Sequence, residues 1–135
     1  MTKILVAEDE RDIRDLVVET LFDQGYDVLE SKDGRETFEI ARSEIPDLIL
    51  LDVMMPVMDG FEVLSKLKQS SITDAIPVVM LTAMWVSDGE QNAMRLGVRH
   101  YISKPFDPET LQATVRVALR EAKTMADGRD GSTRV

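Results

Sequence analysis

At 135 residues, 44% hydrophobic and 30% charged, the chain has the length and apolar content of one globular domain with one core, which leaves no room for a second. Its 16 Lys and Arg against 25 Asp and Glu give a formal net charge of −9, which excludes direct binding to nucleic-acid phosphates through a basic patch. The absence of cysteine excludes disulfides, thiolate catalysis and Cys-ligated zinc, and no apolar run reaches the ~20 residues of a bilayer span, so the expectation is a cytoplasmic protein that does not engage membranes.

Lys3-Ile4-Leu5-Val6-Ala7 is short and rich in β-branched residues, which predicts a buried strand, and it ends in the acidic cluster Glu8-Asp9-Glu10. From about Arg11 to Gln24, Ile13, Leu16, Val17 and Leu21 recur at spacings of three and four, a helix with one buried face that Gly25 terminates. Tyr26 to Ser31 alternates polar and apolar residues like an edge strand. Asp33-Gly34 then turns into a helix through about Ser43, anchored by Phe38 and Ile40. Leu48-Ile49-Leu50-Leu51 is apolar at every position, as a central strand covered on both faces must be, and Asp52 stands at its end.

Met55-Pro56 and Asp59-Gly60 predict a loop, with Asp59 as the N-cap of a helix carrying Phe61, Val63, Leu64 and Leu67 and ending near Ser70. Pro77 to Leu81 is a fourth strand, closed by Thr82. A helix with a thin apolar face is expected over Asp88 to Leu96, capped by Gly97, before a strand at Arg99 to Ser103. Pro108 opens a last helix with Leu111, Val115, Ala118, Leu119 and Ala122 on one stripe. Residues 1–124 thus form the domain, and 125–135 are expected to be a disordered tail or the start of a linker, disorder beginning at Asp127.

Five strand–helix cycles with short connections predict an α/β doubly wound five-stranded parallel sheet with helices on both faces. The two more polar strands belong at its edges, which the order 2-1-3-4-5 satisfies. That order puts a topological switch point between the first and third strands, where ligands bind outside the carboxyl ends. Glu8, Asp9 and Asp52 project there. Three converging carboxylates repel one another unless they share a cation, and an all-oxygen site without His or Cys fits Mg²⁺, with Mn²⁺ as a substitute. Thr82 and Lys104 enter the crevice from the other side. Metal, ammonium and hydroxyl around one carboxylate suit phosphoryl transfer to Asp52 as nucleophile.

From about Lys3 to about Lys123 the chain resembles the receiver domain of bacterial two-component response regulators. The residues that carry the likeness are Glu8-Asp9, the run from Asp52 through Met54-Met55-Pro56 to Asp59-Gly60, Thr82-Ala83, and Tyr101-Ile102-Ser103-Lys104-Pro105-Phe106. The resemblance implies a flavodoxin-like, CheY-like fold with Asp52 as phosphoacceptor. It makes Asp9 a direct metal ligand, Glu8 a direct or water-mediated one and the backbone carbonyl of Met54 another, and it implies a cis peptide between Lys104 and Pro105. It also implies a switch in which Thr82 moves toward the phosphate and Tyr101 rotates inward. The surface of the fourth helix, fifth strand and fifth helix then changes shape, and a phosphorylation-dependent homodimer through that surface is one output. The donor would be a phosphohistidine on a sensor histidine kinase or phosphotransfer protein; the downstream effector is unnamed.

Each position also has a plainer reading. Glu8 to Glu10 resemble a solvated loop that caps a helix, Lys104 a surface lysine, Thr82 a strand-end hydroxyl, and Met54, Met55 and Met58 loop packing. Joint placement favours the site. Trp85 is expected to be partly exposed or folded over Met84 or Met94, and Arg99 and His100 depart from the small or acidic residues usual in the family, which bears on partner choice. Three other functions compete. The first is the receiver half of a DNA-binding regulator. The second is an aspartyl-nucleophile phosphatase, which wants an acid where Met54 stands. The third is a flavin protein, which wants a hydroxyl- and glycine-rich loop where Glu8 to Asp12 stand. The chain is expected not to be an enzyme beyond self-phosphotransfer and slow autodephosphorylation.

Overall fold

Strands of four or five residues are stable only when paired, and the computed structural model, which describes residues 1–82 and 95–132, joins all five into one sheet. β1 (Lys3–Ala7), β2 (Asp27–Ser31), β3 (Leu48–Asp52), β4 (Val78–Thr82) and β5 (His100–Ser103) are parallel in the order β2-β1-β3-β4-β5. The more polar strands are at the edges, as their composition predicts. Four described helices accompany them: α1 (Arg11–Asp23), α2 (Gly34–Glu44), α3 (Gly60–Gln69) and α4 (Pro108–Ser132).

The strand period of two splits the core into two layers. Leu5, Ala7, Ile49, Leu51 and Met80 pack with Ala41 of α2 and Val63, Leu64 and Leu67 of α3. Ile4, Val6, Leu48, Leu50, Val79, Leu81 and Ile102 face the other way, against Val17 and Leu21 of α1 and Leu111, Val115 and Ala118 of α4. Every residue of β3 is buried, which is why that strand has no polar side chain before Asp52. Each fully buried Leu or Ile contributes about 1.5–3 kcal/mol relative to exposure.

One detail differs from the sequence expectation. Leu16 is 44% exposed, because the buried stripe of α1 centres on Val17, Thr20 and Leu21, and Leu16 lies at its solvent boundary. The backbone of α4 runs as a helix from Pro108 to Ser132. Extending a formed helix carries no nucleation cost, whereas each Gly in it costs only about 1 kcal/mol. Trp85 and most of the helix expected over Asp88 to Leu96 lie outside the described residues, while Gly97 has φ 93°, the left-handed conformation expected of its cap.

Asp33 and Asp59 open α2 and α3 as N-caps, accepting from the N–H of Glu36 at 2.8 Å and of Glu62 at 3.0 Å. In the loop before α3, the N–H of Met58 donates to the carbonyl of Pro56 at 2.7 Å, with φ 70° at Val57 between them. This is a γ-turn of the rarer hand, strained for any residue and most of all for a β-branched one. Val57 is 79% exposed, so little packing is lost with its side chain. Val57→Gly is expected to raise stability in urea by about 1 kcal/mol, relief of strain exceeding the added chain entropy of glycine. An unchanged or lower denaturation midpoint would contradict it.

Candidate functional site

β1 and β3 are neighbours with Ala7 opposite Leu51, so the residues that follow this pair, Glu8 just past β1 and Asp52 at the end of β3, emerge side by side. Asp52 in turn pairs with Leu81 and Thr82 with Ser103, which places Thr82 and Lys104 along the same rim. The sheet therefore assembles the site from four neighbouring strand ends. Glu8 and Asp52 are 0% and 3% exposed, Thr82 is buried and Asp9 is exposed.

Oxygen atoms of Glu8, Asp9 and Asp52 all lie within 4.8 Å of one another. Lys104 Nζ is 2.6 Å from Glu8 Oε1 and 3.2 Å from Asp52 Oδ1. Asp52 Oδ1 also accepts from the N–H of Met54 at 3.2 Å, and Glu8 Oε2 from that of Glu10 at 3.1 Å. Glu8 Oε1 is buried and, although close to the ammonium, accepts no hydrogen bond of regular geometry. Burial alone would lower the Lys104 pKa, but Glu8 and Asp52 outweigh it and hold it raised. The Lys104–Pro105 peptide bond is cis.

Whether these residues suit a divalent cation can be judged from the donors. All are hard oxygens close enough to share one ion, the donor type that an octahedral Mg²⁺ takes. Glu8 Oε1, held by the Lys104 ammonium at 2.6 Å, is an atom a cation would share. The donor set fits Mg²⁺.

Burial pushes the Glu8 carboxyl from its ordinary 4.5 up to about 7, Asp52 pushes the same way and Lys104 opposes. A carboxyl with a raised folded-state pKa keeps its proton while the unfolded chain has released it. Between pH 4.5 and about 7 the metal-free fold therefore loses stability as pH rises. Glu8→Gln removes that loss. In chelator, its melting temperature relative to wild type is expected to rise from pH 5 to pH 8, and a difference constant with pH would contradict the assignment.

Other expected residues lie apart from the cluster. Met54 contributes its backbone next to Asp52, and its side chain is 71% exposed. Tyr101 is half-buried on β5, opposite Met80, and packs against the core layer that includes α2 and α3. Arg99 and His100 line a cavity of about 300 Å³ with Lys68 and Glu121 at the amino ends of β4 and β5, with His100 Nε2 2.9 Å from Glu121 Oε1. Gly60, read from the sequence only as part of a turn, and Arg14, which the sequence did not single out, both approach the site's backbone. A Cβ on Gly60 would stand 2.3 Å from the carbonyl oxygen of Asp52, and Arg14 Nη1 donates to the carbonyl of Glu8 at 3.0 Å.

Comparison with known proteins gives one answer. The model of the response regulator receiver domain matches residues 4–116. The transcriptional regulatory protein PhoP of alkaline phosphatase synthesis in Bacillus subtilis is 40% identical over 124 residues, which cover 92% of this chain and 51% of PhoP. The chemotaxis protein CheY4 of Vibrio cholerae superposes with a TM-score of 0.82 at 37% identity, over 87% of this chain and 98% of CheY4. A CheY-like receiver domain of Methanospirillum hungatei gives 0.87 at 25% identity, over 93% and 98%. The chain spans about half the length of the curated relatives it matches. No helix among the described residues is long and apolar enough to cross a membrane. With the sheet order, the carboxylate cluster and these likenesses in agreement, the chain belongs to the receiver domains of two-component response regulators.

Proposed function

We propose that Asp52 is the phosphoacceptor of this receiver, charged by a phosphohistidine on a sensor histidine kinase or phosphotransfer protein. The observation that carries the reading is a buried carboxylate 3.2 Å from Lys104 Nζ, with Glu8 and Asp9 beside it. A carboxylate oxygen of Asp52 attacks phosphorus, the P–N bond breaks, and the imidazole leaves as an acyl phosphate forms. Asp9, Asp52, Glu8 and the Met54 carbonyl would hold Mg²⁺, with Mn²⁺ as a substitute. When bound, the cation supplies positive charge against the phosphoryl oxygens. Lys104 meets another of those oxygens and Thr82 a third, and these two groups stabilise charge in the transition state.

The chain is a switch rather than a turnover enzyme: with Met54 where a phosphatase would keep its acid, only slow hydrolysis of its own phosphoaspartate follows. The added charge is read by Thr82 and Tyr101 and passed to the surface of β5 and α4 and the segment preceding β5, where an effector or a second copy docks. A cytoplasmic setting goes with such a kinase partner. A second reading, that this is the receiver half of a DNA-binding regulator with 125–135 leading into the linker, is favoured by the half-length match to relatives named transcriptional regulators.

Incubation with acetyl phosphate tests the reading. Mg²⁺-dependent covalent phosphorylation, reversed by hydroxylamine and absent in chelator, is expected. Labelling that resists hydroxylamine or persists in chelator would contradict it, and multiple turnover of a small phosphate ester would restore the phosphatase.

A further inference from the structure

The turn that carries Glu8 and Asp9 leads into α1 through Glu10, an N-cap residue that makes no side-chain hydrogen bond to that helix. Arg14, one turn into α1, reaches back over it instead. Its Nη1 donates to the carbonyl of Glu8 at 3.0 Å and more weakly to that of Asp9 at 3.4 Å, while its Nε lies 3.4 Å from Glu30 Oε1 at the end of β2. On the other side of the same residue, the N–H of Glu8 donates to the carbonyl of Ser31, also on β2, at 3.0 Å. Both peptide groups of Glu8 are thereby tied to one strand, the second through a guanidinium whose side chain is only 16% exposed.

We infer that Arg14 is a positioning residue for the cation site: its guanidinium fork fixes the Glu8–Asp9 turn against β2 and so sets the affinity for Mg²⁺. This rests on the reading of Glu8 and Asp9 as cation ligands. The fork is needed because one planar group must donate in two directions, to carbonyls on one side and a carboxylate on the other, which an ammonium on a flexible stem does poorly. Groups that orient metal ligands typically govern affinity by 10–100-fold when removed, which sets the scale at about tenfold here.

Electrostatics makes the sign decisive. Arg14 is a positive charge beside an acidic site, so as a charge alone it repels Mg²⁺, and deleting it should tighten binding. As a positioning group its deletion should weaken binding. Titration of Mg²⁺ by calorimetry at fixed ionic strength into wild type, Arg14→Gln, Arg14→Lys and Asp9→Asn separates these, with melting temperatures in chelator and in Mg²⁺ recorded alongside. Arg14→Gln and Arg14→Lys are both expected to bind about tenfold more weakly and to gain less melting temperature from Mg²⁺ than wild type. Should Arg14→Gln fail to fold, Glu30→Gln frees the other end of the guanidinium from a half-exposed partner and is expected to weaken binding in the same direction by less. Unchanged or tighter binding in Arg14→Gln, or wild-type affinity in Arg14→Lys, would overturn the inference while leaving the cation site standing. Unchanged binding in Asp9→Asn would overturn the cation site itself, and the inference with it.

Discussion

Asp52→Asn is expected to take up no phosphoryl group from acetyl phosphate, and in chelator to unfold at a higher temperature than wild type. The two results have one cause. The amide preserves the shape of the side chain and can still accept from the N–H of Met54, but its oxygen is a poor nucleophile and it carries no charge. Without Mg²⁺ that lost charge is a relief, since Asp52 no longer crowds Glu8, and Lys104 can pair with Glu8 alone across 2.6 Å. A gain of about 1–2 kcal/mol is expected, the scale of removing one of two like charges at a buried site. In Mg²⁺ the order is expected to narrow or reverse, because on the proposed ligand set wild type offers one more carboxylate to the ion. Equal stability of the two proteins in chelator would mean that the carboxylates do not repel as their spacing requires.

Gly60→Ala has the second largest expected effect, and it links the fold to the chemistry. The new Cβ would stand 2.3 Å from the carbonyl oxygen of Asp52 and 2.8 Å from Val53 Cα. Both are backbone atoms, so no side chain can swing aside, and either α3 or the end of β3 must move. The N–H of Gly60 donates to the carbonyl of Val53 at 2.8 Å, which ties the start of α3 to the segment that must shift. A loss of about 3 kcal/mol or more in urea denaturation is expected. Because the displaced atoms belong to Asp52, the proposed phosphoacceptor, and its neighbour, the surviving folded protein should also be phosphorylated about a hundredfold more slowly. Gly25→Ala is the control: its Cβ meets nothing within 4 Å, so only the positive φ of 89° is penalised, at about 1 kcal/mol. Equal losses in the two variants would mean that the close approach at Gly60 relaxes without cost.

Period and composition made most of the fold legible. The unbroken run Leu48 to Leu51 could only be a doubly covered strand, and the polar alternation of Asp27–Ser31 could only serve an edge; from these the order of the sheet follows. The same order brings Glu8, Asp9, Asp52 and Lys104 together, because residues at strand ends inherit their neighbours from strand pairing. Features set by backbone approach were not legible in this way. Asp59-Gly60 reads as an ordinary cap and turn, and only the packing of α3 onto the end of β3 shows that a hydrogen is all Gly60 can carry. Val57 gives no local sign of a positive φ, since a β-branched residue is the last expected there. Arg14 looks like a surface arginine on a helix, and its role depends on a turn in the chain between positions 8 and 14 that periodicity does not encode. Leu16 shows the limit of the helical pattern itself: spacing nominates a stripe, but its width depends on how the neighbouring sheet curves under it.

The hydrogen bond between His100 and Glu121 joins β5 to α4 at the end of the strand remote from Asp52, beside Arg99 and Lys68, so these residues lie away from the carboxylate cluster.

The residue that carries the phosphoryl group is located most directly by borohydride trapping. Acyl phosphates are reduced to alcohols, so a phosphoaspartate becomes homoserine, and peptide mapping of the Mg²⁺- and acetyl phosphate-treated chain then locates it by mass. Homoserine at position 52 and nowhere else is the predicted result. Reduction at Asp9 or another acid, or an unmodified Asp52 in protein that has gained the phosphoryl mass, would contradict it.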